Sequence, residues 1–459
     1  MADSNAKKLA QLLDGNGDVL LTNLDNISVT PTSVSDQPNT STGGLSLPAG
    51  TTAQRPGSPD TGESRYNSTT GSLEFYDGSA WINTNLIPSI DSVTGTISAG
   101  VTTNLVLALT NATDTVDIVY KEGGVTVAST IGATVTSGSI TTAVPSAVYG
   151  QTVGDTISVS VTNADGTPSS NAITKTVLAL PTGGTVTTSG STRIHTFNSS
   201  ATLTVPSGHS LTAQVLMAAG GGGGGTGGGE GGGGGAGGLL WFSGSTVDGK
   251  TPNSGTYTIT SNKTVVIGAG GNGASSYGAN GGNGTAGGNT TVTGLTNAVG
   301  GGIGGNYPDN GVGHGNGTAG GSGGGGGGNN SSQGYSRLGG SGTSGQGNAG
   351  GNGVTSGGLF CGGGGGGSKT AGSAGGTIYQ SGGAGGSGHL FSSLYGTGWG
   401  SSGGVCGGGG GNSNGGPDGA GGAHGGAANN NNASANTGGG GGAMGGNGGS
   451  GTVVISYVL

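Results

Sequence analysis

Glycine recurs at every third residue in short runs through the second half of this chain, and no other feature restricts its fold as severely. GAN-GGN-GTA-GGN fills 278–289, GNA-GGN-GVT fills 347–355 and GPD-GAG-GAH-GGA fills 416–427. Of the 121 glycines, 99 lie after residue 218. Each run lasts three or four triplets and then loses phase, often where bulkier stretches such as LLWF (239–242) and LFSSLYGTGW (390–399) stand. Strand-like sequence brackets the whole: 185–218 leads in and GTVVISYVL (451–459) closes it. A flexible glycine linker needs no closing strand, so an ordered body is expected in place of low-complexity disorder.

Collagen shares the period but requires unbroken phase and abundant proline, and only three prolines follow residue 218. What remains is a bundle of short polyglycine-II helices folded back and forth within one subunit. Such a helix has three residues per turn and no internal hydrogen bonds. Its N–H and C=O groups must therefore bond to neighbouring helices. Only glycine lets backbones approach that closely, with Cα–H···O contacts as a second-order addition. Ordering each residue costs on the order of 1–2 kcal/mol. With few apolar side chains to offset this, the backbone lattice must be nearly complete.

The first half reads differently. Residues 4–13 suggest a short helix with an apolar stripe of Leu9, Leu12 and Leu13, and VLLTNL (19–24) a strand. Residues 31–62 read as an extended connector. Over 65–83, Tyr66, Leu73, Phe75, Tyr76 and Trp81 alternate around turn signals and are expected to pack on a small two- or three-stranded element. From 88 to 180 the period is two, with six or seven short strands, as in an antiparallel sandwich of immunoglobulin-like size. The fold class expected is thus multi-domain and mostly β. Its parts are a helix-plus-strand region (1–46), a small β module (47–85), an immunoglobulin-like β-sandwich (86–181) and a polyglycine-II helix bundle framed by β-strands (182–459).

Charge and motifs exclude several functions. A net charge of −8, with Arg337 the sole arginine after residue 218, speaks against nucleic acid as a partner. No run of 18 apolar residues suggests a membrane span, and MADSNAKKLAQLL lacks the apolar core of a secretory signal, so folding in a cytoplasm is expected. Cys361 and Cys406, in matching LFCGGGGGG and GVCGGGGG contexts, read as small buried side chains, a single bridge between them being the alternative. GSTVDGKT (244–251) fits a phosphate loop in letters, yet Pro252 and a turn follow where a helix is needed. G-x-S-x-G at 320–324 and 400–404 lacks a strand–helix setting. DGNGD (14–18) has Val19 where a calcium loop requires glycine. His195, His209, His314, His389 and His424 show no ligand spacing. No metal, cofactor or catalytic residue is expected, and the absence of paired carboxylates in the tail disfavours glycoside hydrolysis.

HTFNSSATLTVPSG (195–208), the glycine run, GGNTTVTGLTNAVGGG (287–302) and GGNGGSGTVVISYVL (445–459) together resemble the glycine-rich domains of bacteriophage tail fibres and the polyglycine-II tip adhesins of T-even-like phages. LPAGTTAQRPGSPDTGESRYNSTTGSLEFYDGSAWI (47–82) is similar to a segment of marine and cyanobacterial phage fibre proteins, and MADSNAKKLAQLLDGNGD to their amino termini. The resemblance implies a non-enzymatic virion adhesin, assembled in the host cytoplasm. Residues 1–46 would attach to the phage tail, baseplate or a neighbouring fibre protein, and the sandwich would act as a spacer. Loops of 182–459 would bind a host surface glycan or outer-membrane protein. The long amino-terminal half departs from the tip adhesins, which cap a separate fibre as monomers, and a homotrimer is the commoner fibre arrangement. A purely structural tail or decoration protein is the alternative.

By position the loops are 239–262, 303–316, 329–338, 388–403 and 427–437. Tyr307, Tyr335, Phe391, Tyr395 and Trp399 stand in them among Gly, Ser and Asn. They either pin each loop to the lattice or form a paratope-like surface of rigid aromatics and adaptable polar groups. Arg337, beside Tyr335, offers a charge to an anionic sugar or lipid headgroup. Those six are the receptor-binding candidates. Leu239, Leu240, Trp241 and Phe242 are expected in a core.

Overall fold

A computed structural model describes residues 47–83, 87–164, 166–189, 191–227, 230–275, 284–306, 315–328, 337–354, 360–376 and 381–458. The expected helix and strand of 1–46, and the candidates Tyr307 and Tyr335, lie outside those residues. The chain is mostly β and divides into two compact units between Ile82 and Asn83.

In the first unit, β1 (Ala49–Gly50), β2 (Ser64–Asn67), β3 (Ser72–Tyr76) and β4 (Trp81–Asn83) form one sheet in that order. The β2–β3 turn forms because the Asn67 side-chain Oδ1 accepts the Thr69 N–H at 2.9 Å, and Gly71 takes a φ of 69°. Arg65 then faces Glu74 across the pair. The Arg55 guanidinium donates to Glu74 at 2.6 Å and the Asn67 amide at 2.9 Å, while Arg65 donates to the Gln54 carbonyl at 2.7 Å. Burial opposes ionisation of Glu74, but Arg55 and Asn67 outweigh it and hold the carboxyl below its ordinary range. Arg65, Asn67, Ser72 and Glu74 are the buried residues here, and every one is polar. The five expected core residues do not share a face. Tyr76 and Trp81 pair at 5.8 Å on the polar side, where the Arg65 guanidinium lies 5.9 Å from the Trp81 ring centre. Strand alternation puts Tyr66, Leu73 and Phe75 on the other.

Next come β5 (Ser89–Thr94), β6 (Ile97–Ser98), β7 (Asn104–Thr110), β8 (Thr115–Glu122), β9 (Val125–Thr134), β10 (Ser139–Ala143), β11 (Thr156–Asn163) and β12 (Ile173–Leu178). They make a three-stranded sheet, β10-β7-β5, and a five-stranded sheet, β6-β12-β11-β8-β9. Alternate residues of both, including Leu105, Leu107, Ile118, Tyr120, Ile157 and Val159, form one apolar core.

The glycine-rich part hangs from a six-stranded sheet. β13 (Thr185–Ser189), β14 (Thr192–Phe197), β16 (Leu211–Ala218), β17 (Leu239–Phe242) and β23 (Thr452–Val458) run in the order β13-β14-β23-β16-β17, and β18 (Tyr257–Ile259) pairs β16. The closing strand therefore sits in the middle, His195 opposite Ile455 and Leu216 opposite Val454. Each face covers its own core. Val215, Met217, Val453 and Ile455 pack with Phe197 and with Leu203, Val265 and Val292 of a three-stranded sheet, β15 (Ala201–Leu203), β19 (Lys263–Val266) and β20 (Thr291–Val292), while Leu216 and Val454 pack with Trp241 and Phe391. His195 is fully buried in the sheet, its Nδ1 2.8 Å from the Gly183 carbonyl and its Nε2 2.9 Å from the Tyr457 hydroxyl.

Beyond the sheet the backbone bonds with a period of three. Gly222 and Gly225 donate to Gly235 and Gly232; Gly221 and Gly224 to Gly449 and Gly446; Gly220 and Gly223 to Gly288 and Thr285. The return segment does likewise: Gly232 and Gly235 donate to Gly305 and Gly302, Gly233 and Ala236 to Gly363 and Gly366, and Gly234 and Gly237 to Gly441 and Gly438. Each segment thus spends its N–H groups on three neighbours in rotation. Cys361 and Cys406 are free and buried within this lattice.

Candidate functional site

The lattice has two ends, fixed by chain order. Ala219 and Gly238 pair beside the sheet, Gly222 with Gly235 further out and Gly225 with Gly232 furthest. At the far end the described residues converge. Gly328 donates to the Glu230 carbonyl at 2.6 Å, Gly327 to Gly315 at 2.8 Å, and Thr226 to the Asn306 side chain at 2.9 Å. Arg337 bridges Gly353, and Cys361 bridges both Val354 and Ser413.

At the sheet end, β21 (His389–Leu390) and β22 (Gly404–Val405) form a short hairpin carrying the one-turn helix Ser392–Tyr395. Aromatic rings fasten it to β17. Phe391 meets the Trp241 ring edge-on at 5.2 Å, Tyr395 meets Trp241 at 6.3 Å, and Trp399 meets Tyr395 at 5.9 Å. The Trp241 indole N–H donates to the Ser245 carbonyl at 2.9 Å, and the Tyr395 hydroxyl lies 3.1 Å from that of Ser456. Burial pushes the Tyr395 phenol up. Tyr395 also walls a groove of about 280 Å³ with Thr192, Thr212, Gln214 and Leu394.

The sequence candidates therefore separate. Phe391, Tyr395 and Trp399 gather at the sheet end, where Phe391 and Trp399 are buried and Tyr395 packs against the same core. Arg337 sits at the far end, 5% exposed, its guanidinium against the backbone of Gly315. Neither burial nor this separation is visible in the local sequence around each residue.

Sequence reasoning also missed a charged cluster under the hairpin. Asp248, in the left-handed region at φ 47°, accepts from Lys369 at 2.5 Å and from the Leu390 N–H at 2.9 Å. His389 Nδ1 lies 2.9 Å from the Ser368 hydroxyl, and Lys250 donates to the Gly345 carbonyl at 2.7 Å. These residues are scattered over 248–389, and the only local clue was the DGK turn. Burial, then the Lys250, Lys369 and His424 charges, lower the His389 pKa to about 4, against the pull of Asp248. The folded-state value is thus depressed below the ordinary 6.5. Stability is complete above pH 6.5 and falls as pH drops towards 4, where the unfolded chain takes a proton that the folded chain refuses. The loss is about 3 kcal/mol. Denaturant midpoints from pH 7 to 4 are expected to fall in the wild type and to stay flatter in His389→Gln.

Residues 195–458, more than half of the chain, match the family described as a glycine-rich domain. No curated protein and no solved structure matches the chain.

Proposed function

The chain belongs to the glycine-rich domain family, and from that premise we propose that it is a non-enzymatic phage tail-fibre adhesin of the virion. Its far lattice end meets a host surface glycan or outer-membrane protein. One observation carries this reading. An ordered backbone lattice collects the ends of its segments at a face remote from the supporting sheet, as a rigid scaffold presenting loops does. Asn306, Gly315, Gly328 and Arg337 stand at that face, and they flank the segments that hold Tyr307 and Tyr335. In this proposal the period-three lattice is polyglycine-II packing, the two sheets of 87–178 are an immunoglobulin-like spacer, and residues 1–46 attach to the tail. Burial of Phe391 and Trp399 favours packing at the sheet end, so receptor contact is assigned to the far end.

The test is binding of fluorescently labelled full-length protein to a panel of bacterial strains, beside a Tyr307→Ala/Tyr335→Ala variant. The expected result is binding to at least one strain, weakened roughly tenfold or more in the variant, as for loss of hot-spot aromatics, at an unchanged unfolding midpoint. Full binding by the variant would remove the far end from the site. Binding to no strain would leave the purely structural virion protein as the better reading.

A further inference from the structure

We infer that asparagine and threonine side chains seal the flanks of the glycine lattice against a further polyglycine segment, which leaves its ends as the surface open to a partner. In a backbone with three residues per turn, N–H groups three apart face the same way, so each segment presents three columns of donors. The central segment 220–225 spends all three on neighbouring backbones. An outer segment has fewer neighbours. A column facing solvent there carries the liability of an unpaired edge strand, because it can take up the carbonyls of another chain.

Side chains of flanking segments fill those columns. Gly271 and Ala274 donate inward to Gly221 and Gly224. Between them, the Asn272 N–H goes to the Thr285 hydroxyl and the Gly273 N–H to the Asn447 side-chain oxygen, both at 2.8 Å. The two segments supplying these side chains also donate to this one, through Thr285 and Gly288 and through Gly448 and Gly451. The segment 337–341 repeats the arrangement. Gly340 donates inward to Gly324, Leu338 to the Asn316 side chain at 3.0 Å and Gly339 to that of Asn352 at 2.9 Å. The flanking segments again donate to it, through Gly317 and Gly350. Along 299–305 one column, Gly300 and Ile303, ends on Asn289 and Thr318. All six acceptors are exposed and stand as non-glycine letters of the glycine-rich runs, as in GTA-GGN (284–289). Each satisfies its N–H and covers it, so no carbonyl of a second chain can approach. The inference rests on the lattice bonds alone and holds whatever the far end meets.

Asn316→Ala/Asn352→Ala opens both outward columns of 337–341. Hydrogen exchange of the full chain at Leu338 and Gly339 is expected to quicken roughly tenfold in this variant. It is expected to stay near the wild type in Asn316→Asp/Asn352→Asp, which keeps an acceptor oxygen at each site. Light scattering at rising concentration is expected to show the alanine variant gaining mass beyond the wild-type assembly. No gain is expected for Ser344→Ala/Ser373→Ala, which removes exposed hydroxyls that cap no lattice N–H among the described residues. If the double alanine variant does not fold, Asn352→Ala opens Gly339 alone and is read by the same two measurements. Unchanged exchange in the alanine variants, or faster exchange with no gain in mass, would overturn the inference.

Discussion

Gly234→Ala is expected to destabilise the protein by about 5 kcal/mol, while Gly244→Ala leaves it unchanged or more stable by about 0.4–1 kcal/mol. Both substitutions add one methyl group. Gly234 has an ordinary negative φ, so the difference is not conformational. A Cβ there would press into the backbone carbonyl of Gly222 at under 3.0 Å, a separation real Cβ atoms do not show, whereas nothing lies within 4 Å at Gly244. Backbone cannot step aside as a flexible side chain does, so the cost takes the upper end of overpacking, about 3 kcal/mol. Gly234 also donates to Gly441 at 2.8 Å and accepts from Gly409 at 2.9 Å. Displacing both bonds adds about 1 kcal/mol each. Denaturant unfolding of the full chain measures the pair, with protease sensitivity as the readout if Gly234→Ala does not fold. A Gly234→Ala midpoint near that of the wild type would mean the lattice is far looser than its hydrogen bonds imply.

The triplet period made the lattice legible, because a requirement for glycine at each close approach is written directly in the sequence. GTVVISYVL announced a closing strand in the same way. What it could not announce was its place between β14 and β16, since strand order depends on partners more than 200 residues away. Burial of LLWF was readable from its continuous apolar run. Phe391 and Trp399 were not, because their burial depends on Trp241 and Val454 from distant segments. Arg337 looked like a free charge for the same reason: the backbone of Gly315 that covers it is invisible locally. In 64–83 the alternation correctly marked strands but misled about the inside, because Arg65, Asn67 and Glu74 satisfy one another and take the covered face.

Trp241→Ala tests how the sheet end is held, and a loss of about 3–5 kcal/mol is expected. Trp241 is fully buried and is the ring on which Phe391 and Tyr395 both rest. Truncation leaves a cavity among Leu216, Val454 and the Phe391 and Tyr395 rings, a cost within the usual range for removing a buried tryptophan. It also strands the Ser245 carbonyl that the indole N–H now satisfies. The effect is expected to spread along the ring contacts: with Trp241 gone, the hairpin carrying Tyr395 and Trp399 loses its anchor, and protease cleavage within 392–403 rises. A double-mutant cycle with Phe391→Ala separates this from independent damage. Edge-on rings at 5.2 Å share an interaction of about 0.5–1.5 kcal/mol, so the double variant should lose that much less than the two single losses added. Strict additivity would mean that the rings pack beside each other without coupling. The hairpin would then be held by its backbone bonds, such as Phe391 N–H to Gly403, and Tyr395 and Trp399 would be released from a purely packing role and available to a ligand.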